Sequence, residues 1–345
     1  MKEAEILVEV LRGGVIESIH RGHLIVVDGA GETICQLGNP DSVTFLRSSG
    51  KPFQAIAFLL SGAAEKFNFN EQEIALAIGS HSGDAMHTET AARMLAKINL
   101  TEQDLRCGAH EPFNQELARE MARRGAEPMQ LHNNCSGKHA AMLAFAKHLD
   151  ASIENYEQLE HPIQQRILEI IEKFSGVSRD KIPVGVDGCA VPTFAVSIRQ
   201  MAEMFVKLVA PPDDFSDELQ RACWRVTKAM TTFPEMIGGS VVERLDTEVM
   251  RAAGGRVVSK IGAEGVYTMG VLPSAQWERG LGIAFKIEDG EDRRARPVAA
   301  LEVLRQLGVL DASKFELLKN YVRLAITNRR NEFVGEVAPV FNLGL

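Results

Sequence analysis

The sequence predicts a mixed α/β fold of the α+β kind: one antiparallel sheet built from both termini, with a helical region between. Three observations predict it. Short apolar runs separated by glycine turns fill the first 45 residues. Helical periodicity dominates from residue 71 to about 252. Strand patterns return after residue 254. Strands followed by helices and then strands again suit a sheet closed by chain ends that are distant in sequence. One domain over 1–345 is expected, with a sheet subregion of 1–65 plus 254–345 and a helical subregion of 66–253.

Taken in order, Glu5–Arg12 reads as a strand broken by Gly13-Gly14. His23–Asp28 and Glu32–Leu37 form a hairpin around Gly29-Ala30-Gly31. Gly38-Asn39-Pro40-Asp41 turns the chain into Arg47-Ser48-Ser49-Gly50-Lys51-Pro52, from which an apolar helix leaves. Helices are expected at 71–78, 86–97, 115–124, 138–148, 161–175, 197–210, 215–230 and 240–253. Thr101-Glu102-Gln103-Asp104 has the form of a helix-start cap. Strands are expected at 256–260, 265–272 and 280–287, and a helix from Arg296 to about Leu307. Arg293, Arg294 and Arg296 among four acidic residues read as a solvated hairpin tip.

Composition excludes several functions. The chain has 345 residues and a formal charge of −8, so no basic excess is present to neutralise phosphates, and a nucleic-acid partner is not expected. No apolar run approaches the ~20 residues that span a bilayer, and no signal-type segment follows the charged first residues. A cytoplasmic protein with no membrane partner is expected. Five dispersed cysteines (Cys35, Cys107, Cys135, Cys189 and Cys223) do not read as a disulfide framework; free thiols or metal ligands are expected.

Ser48 and Lys51 lie nearly one helical turn apart, so hydroxyl and amine share a face. A serine needs a nearby base to become a nucleophile, and burial or a neighbouring cation can make a lysine that base. The spacing is also common as a plain helix start. Gly79-Ser80-His81-Ser82-Gly83 offers small polar residues between glycines, suited either to ligand approach or to local backbone bonding. His132-Asn133-Asn134-Cys135-Ser136-Gly137-Lys138-His139 enters an apolar helix, and Cys135 with His139 could share a helical face as zinc ligands, or could simply be a cap and a buried thiol. Val186-Asp187-Gly188-Cys189 adds a second thiol and a carboxylate. Lys260 ends an apolar strand before Gly262.

Taken together, a Ser-x-x-Lys after an N-terminal hairpin, a middle serine loop and a strand lysine follow the layout of serine beta-lactamases and penicillin-binding proteins. Ser80-His81-Ser82 would replace the usual Ser-Asp-Asn, and Lys260-Ile261-Gly262 the Lys-Thr-Gly. In order and over nearly the whole chain, these motifs more closely resemble the Rhizobium etli-type (class 3, asparaginase II family) L-asparaginases. That resemblance implies a serine beta-lactamase-like fold and hydrolysis of L-asparagine. It implies Ser48 as nucleophile with Lys51 as base, and Ser80 with Lys260 as a second pair. It also implies a zinc ion (Zn2+) on Cys135, Lys138 and Cys189, so Lys138 replaces His139 as third ligand, and a homodimer. Arg47 or Lys260 is expected to hold the substrate carboxylate, Asp187 its ammonium, and His139 is a further substrate contact. The alternatives are a glutaminase or another serine amidohydrolase, or a zinc-bearing binding protein without activity.

Overall fold

The computed structural model describes residues 3–240 and 244–345. By internal contacts the chain forms two units. One comprises Met1–Ser49, Val196–Ala210 and Val249–Leu345, and the other Gly50–Ala195 and Pro211–Glu248. The division falls between Ser48 and Lys51.

The first unit is built on an eight-stranded antiparallel sheet. Its path runs Leu324–Thr327, Phe333–Pro339, Glu5–Arg12, Val15–Asp28, Leu281–Ile287, Val266–Val271, Val257–Ile261, with Thr33–Leu37 also paired to Val15–Asp28. The fourteen-residue strand Val15–Asp28 joins the two chain ends. Its first half pairs with Glu5–Arg12, and its second half with Leu281–Ile287 in register Gly22↔Ile287 to Asp28↔Leu281. The central strands are buried on both faces, which is why they read as continuous apolar runs rather than alternating ones.

The helix Ile198–Val209 packs on this sheet. Ser197 starts it: its hydroxyl accepts from Gln200 N while the Gln200 side chain accepts from Ser197 N. A Cβ on Gly282 would fall 1.9 Å from the Ala202 carbonyl oxygen, so glycine lets helix and strand backbones meet. The helix Ala295–Gln306 is buried over most of its length. Arg296 belongs to it, is 8% exposed and donates to the Gly262 carbonyl at 2.8 Å and to Asp292. The expected hairpin tip is corrected for this arginine: carbonyl and carboxylate acceptors let the guanidinium be buried.

The second unit is helical. Its centre is Lys51–Leu60, in which every residue but Leu60 is buried. It packs against Glu71–Ile78, Ser136–His148, Pro162–Ser175 and Asp217–Thr232, with the Phe53 and Phe174 rings 5.0 Å apart. Asn70 closes Glu71–Ile78 with a capping box. Thr101 forms its box as expected, but over a single 3-10 turn, Glu102–Asp104. The strands Val184–Val186 and Pro192–Ser197 form a ladder with Val184 opposite Phe194 and Val186 opposite Pro192, which carries the Asp187–Cys189 turn. The helix expected at 240–253 is observed as Leu245–Ala253, and residues 241–243 lie outside the described residues. Among the described residues no helix is long and apolar enough to cross a membrane.

Candidate active site

Gly137 brings the reactive segments of the helical unit together. A Cβ there would lie 2.5 Å from Leu76 Cγ and 2.6 Å from the Leu76 carbonyl oxygen. The start of Ser136–His148 therefore lies directly on the end of Glu71–Ile78, and the loop leaving that end carries Ser80. A backbone bond from His81 N to the Asn134 carbonyl, at 3.3 Å, ties the two segments.

Lys51 is the centre of this arrangement. It is 1% exposed. Its Nζ donates to the Gly79 carbonyl and lies 3.0 Å from Ser80 Oγ and 3.4 Å from the Asn134 carbonyl. Burial drives its pKa below the ordinary lysine value; the Cys135 thiol acts in the opposite direction and the Lys138 ammonium in the same one. In its neutral form the amine has two N–H groups and one lone pair. Two carbonyls can take the N–H groups, which leaves the lone pair for the Ser80 hydroxyl proton.

Beside it stands a thiol–amine cluster. Cys135 and Cys189 are each 4% exposed and Lys138 is 3% exposed. Lys138 Nζ lies 2.9 Å from Cys189 Sγ, and Cys135 Sγ lies 3.5 Å from Asn134 Oδ1. The neighbouring Cys135 thiol, with Lys138, holds Cys189 well below its ordinary pKa, while Cys135 is pushed up to about 12, first by Cys189 and then by burial. Burial opposes the charge on Lys138, but the Cys189 and Cys135 sulfurs outweigh it and raise the pKa. Ala190, directly after Cys189, has φ 72, a left-handed conformation that is strained for a residue with a Cβ. Asp187 is half-buried in the same turn.

Three buried histidines surround these groups as neutral rings. His81 Nδ1 accepts from Gly83 N at 3.2 Å, so its Nε2–H donates to Ser136 Oγ at 3.0 Å, whose own proton goes to the Leu131 carbonyl at 3.1 Å. His87 stacks on His81 at 4.8 Å and bonds in the same sense, from Asp84 N and to the Glu235 carbonyl. His139 is fully buried; Tyr156 OH accepts from Arg106 N and donates to His139 Nδ1 at 2.7 Å. Burial, followed by Lys138, drives the His139 pKa to about 3. Its Nε2 is buried without a hydrogen-bond partner.

The sheet unit holds the remaining expected residues. Ser48 is half-buried in the turn Arg47–Gly50, and Ser49 Oγ anchors that turn on the Leu46 carbonyl at 2.6 Å. Arg47, with φ 50, is a second non-glycine residue in the left-handed region. Lys260 is fully buried near the end of Val257–Ile261, with its Nζ 3.4 Å from the Ile261 carbonyl. A Cβ on Gly262 would lie 2.8 Å from the Leu46 carbonyl oxygen, so within this unit the segment entering Ser48 lies against the residues following Lys260.

Within the helical unit the expected residues Lys51, Ser80, Cys135, Lys138, Cys189 and His139 thus converge. Sequence reasoning missed Arg244, whose Nη2 donates to the Ser80 carbonyl at 2.8 Å, and Tyr156, which fixes the His139 tautomer. Neither stands in a motif. The His81–Ser136 bond joins two segments that sequence reasoning did single out.

No curated protein matches the chain at a significant level. Solved structures similar to it include a probable glutaminase from Bacillus subtilis complexed with 6-diazo-5-oxo-L-norleucine, at 13% identity over 84% of this chain and 85% of that one, TM-score 0.40. A beta-lactamase from Burkholderia ambifaria is similar at 14% identity over 85% of this chain and 96% of that one, TM-score 0.39. The L-asparaginase II family model matches residues 8–339. The chain belongs to the L-asparaginase II family.

Proposed function

We propose that the protein hydrolyses the side-chain amide of L-asparagine, releasing aspartate and ammonia through an acyl-enzyme on Ser48. The observation that carries this reading is the buried Lys51 amine, displaced toward its neutral form, 3.0 Å from the Ser80 hydroxyl and three residues from Ser48 in a member of an asparaginase family. Ser48 attacks the amide carbon. Its proton passes to Lys51, which is linked to Ser80 and is placed to return a proton to the departing ammonia. Water then cleaves the β-aspartyl ester in the reverse sense. Lys260 is assigned as the second lysine of the pair with Ser80. Backbone N–H groups at the start of Lys51–Leu60 are suited to an oxyanion, and one such donor is worth about 3 kcal/mol. Asp187 is assigned to the substrate ammonium and His139 to a polar contact. The half-buried Ser48 supports its role as nucleophile, because an attacking oxygen needs access.

The Cys135, Lys138 and Cys189 side chains fit a zinc ion: two soft sulfurs and an amine, all buried and mutually adjacent, with Cys189 displaced toward thiolate. Among the described residues no cluster of three histidine, cysteine, aspartate or glutamate side chains is present, so a metal set here needs the lysine. When bound, zinc would supply a fixed positive charge that orders the substrate pocket. Lys138 must lose its proton to serve as a ligand, so binding releases protons. A homodimer in the cytoplasm completes the reading.

The test is ammonia release from L-asparagine and L-glutamine by the purified protein. Turnover of asparagine well above glutamine supports the proposal. A preference for glutamine replaces it with a glutaminase, and no turnover of either replaces it with a binding protein.

A further inference from the structure

We infer that Arg296 and Asp292 are positioning residues for the proposed reaction: together they hold the turn that sets both the Lys260 end of its strand and the seat of the Ser48 turn. This rests on the amide-hydrolysing reading above, in which Ser48 and Lys260 act, and adds to it two residues on which no motif reports. All four belong to the sheet unit. The turn between Val257–Ile261 and Val266–Val271 is gripped at both ends. Arg296 Nη1 donates to the Gly262 carbonyl at 2.8 Å, and Gly265 N donates to Asp292 Oδ1 at 2.7 Å. The same Asp292 oxygen accepts from Arg296 Nη1, so the two grips are linked. Between them Glu264 has φ 64, a left-handed conformation that persists in a residue with a Cβ only where its surroundings enforce it. Arg296 is buried, so its bonds are made where water competes little with them.

From this turn the constraint reaches the reactive residues through the backbone. Gly262 N continues the ladder with a bond to the Val266 carbonyl at 2.9 Å. Residues two apart in a strand share a face, so the Lys260 side chain leaves the strand on the side that Gly262 presents to Leu46. The Leu46 carbonyl oxygen, which a Cβ on Gly262 would meet at 2.8 Å, also accepts from Ser49 N at 3.1 Å and from Ser49 Oγ at 2.6 Å. One carbonyl thus joins the Gly262 turn to the turn that carries Ser48. A shift of Gly262 would move Lys260 on one side and the support beneath Ser48 on the other. Attack and proton transfer tolerate little such movement, since a misplacement of about 1 Å can cost about a hundredfold in rate.

The experiment compares wild type with Arg296→Met, which removes both grips of the guanidinium, and with Arg296→Lys, which keeps a cation and a donor. Val303→Ala serves as control: it trims a buried side chain two turns further along the same helix and leaves the turn untouched. Two quantities are read, steady-state ammonia release from L-asparagine and amide hydrogen exchange by mass spectrometry without substrate. In Arg296→Met the expected result is a fall in kcat of about ten- to a hundredfold, with KM changed by less than about threefold. Exchange should quicken in the peptide over Gly262–Gly265 and also in that over Leu46–Ser49. Arg296→Lys should show a smaller loss in the same parameter, and it carries the test if Arg296→Met does not fold. Val303→Ala should lower the melting temperature but keep the kcat of wild type and its exchange at Leu46–Ser49. Unchanged exchange at Leu46–Ser49 in the Arg296 variants, or wild-type kcat in them, would overturn the inference. An equal fall of kcat in Val303→Ala would overturn it too, by tracing the loss to stability. Quickened exchange at both segments, in a protein whose wild type releases no ammonia from asparagine, refutes the asparaginase reading alone.

Discussion

Two serines of this molecule are held in opposite ways, and the contrast separates their roles. Ser80 is 2% exposed, its backbone N–H bonds the Ile237 carbonyl, and its carbonyl is taken by Arg244. Its hydroxyl stands beside Lys51. Ser48 is half-buried in a four-residue turn whose first residue, Arg47, is held in the left-handed region. A hydroxyl locked into a buried network is suited to passing protons, whereas one on a short, partly exposed turn is suited to attack. Strain beside Ser48 and beside Cys189 agrees with this, because such conformations persist only where the surroundings enforce them.

The sharpest way to break the contrast is to remove each hydroxyl in turn. Ser48→Ala should lower kcat by on the order of 10⁴-fold or more, the scale of losing a nucleophile. Ser80→Ala should cost less, about 10²- to 10⁴-fold, the scale of a proton-transfer group. Reversed magnitudes in steady-state assays would exchange the two roles.

A smaller effect is expected from the thiol cluster. Chelation, or Cys189→Ala, should weaken asparagine binding more than it lowers turnover at saturation, and elemental analysis should find zinc lost from that variant. Complete loss of kcat in a protein still able to bind aspartate would move the metal from organiser to reactant. The smallest expected effect concerns the histidines around Ser80. Burial lowers the native pKa of His81, well below 6.5, and of His87. Above pH 6.5 both are neutral in folded and unfolded chains and stability is unaffected. Below it the unfolded chain takes up protons that the native rings resist, so unfolding free energy should fall as pH falls, by at most about 1.4 kcal/mol per pH unit for each ring. Denaturant titrations from pH 7 to 5 should show a shallower slope for His81→Gln than for wild type.

Much of this architecture was legible from periodicity. The helices at 71–78 and 115–124 occur as expected because capping residues, Asn70 and Asn114, mark where they begin. The strands at 5–12 and near 257–261 and 266–271 follow from apolar runs bounded by glycine. The first half of Val15–Asp28 was not legible, since Glu17, Ser18 and Arg21 make its solvent face polar and Val15, Ile16 and Ile19 are themselves exposed. The C-terminal hairpin of Leu324–Thr327 and Phe333–Pro339 was missed for a similar reason: at the sheet edge its residues are mostly only partly buried, so no strong alternation is imposed. The Ser80 and Cys135 loops stood out by their composition. What composition could not reveal was which groups meet. That Lys51 lies against Ser80 is a contact between distant segments with no local signal, the close approach of Gly137 to Leu76 shows only in the folded chain, and Arg244 is a lone arginine with no local pattern.

The central claim is that Ser48, the less constrained hydroxyl, carries the acyl group. Rapid-quench mass spectrometry during turnover of L-asparagine tests it directly. The account predicts a β-aspartyl adduct on the peptide containing Ser48. An adduct on Ser80, or full turnover with no adduct on either serine, would contradict it.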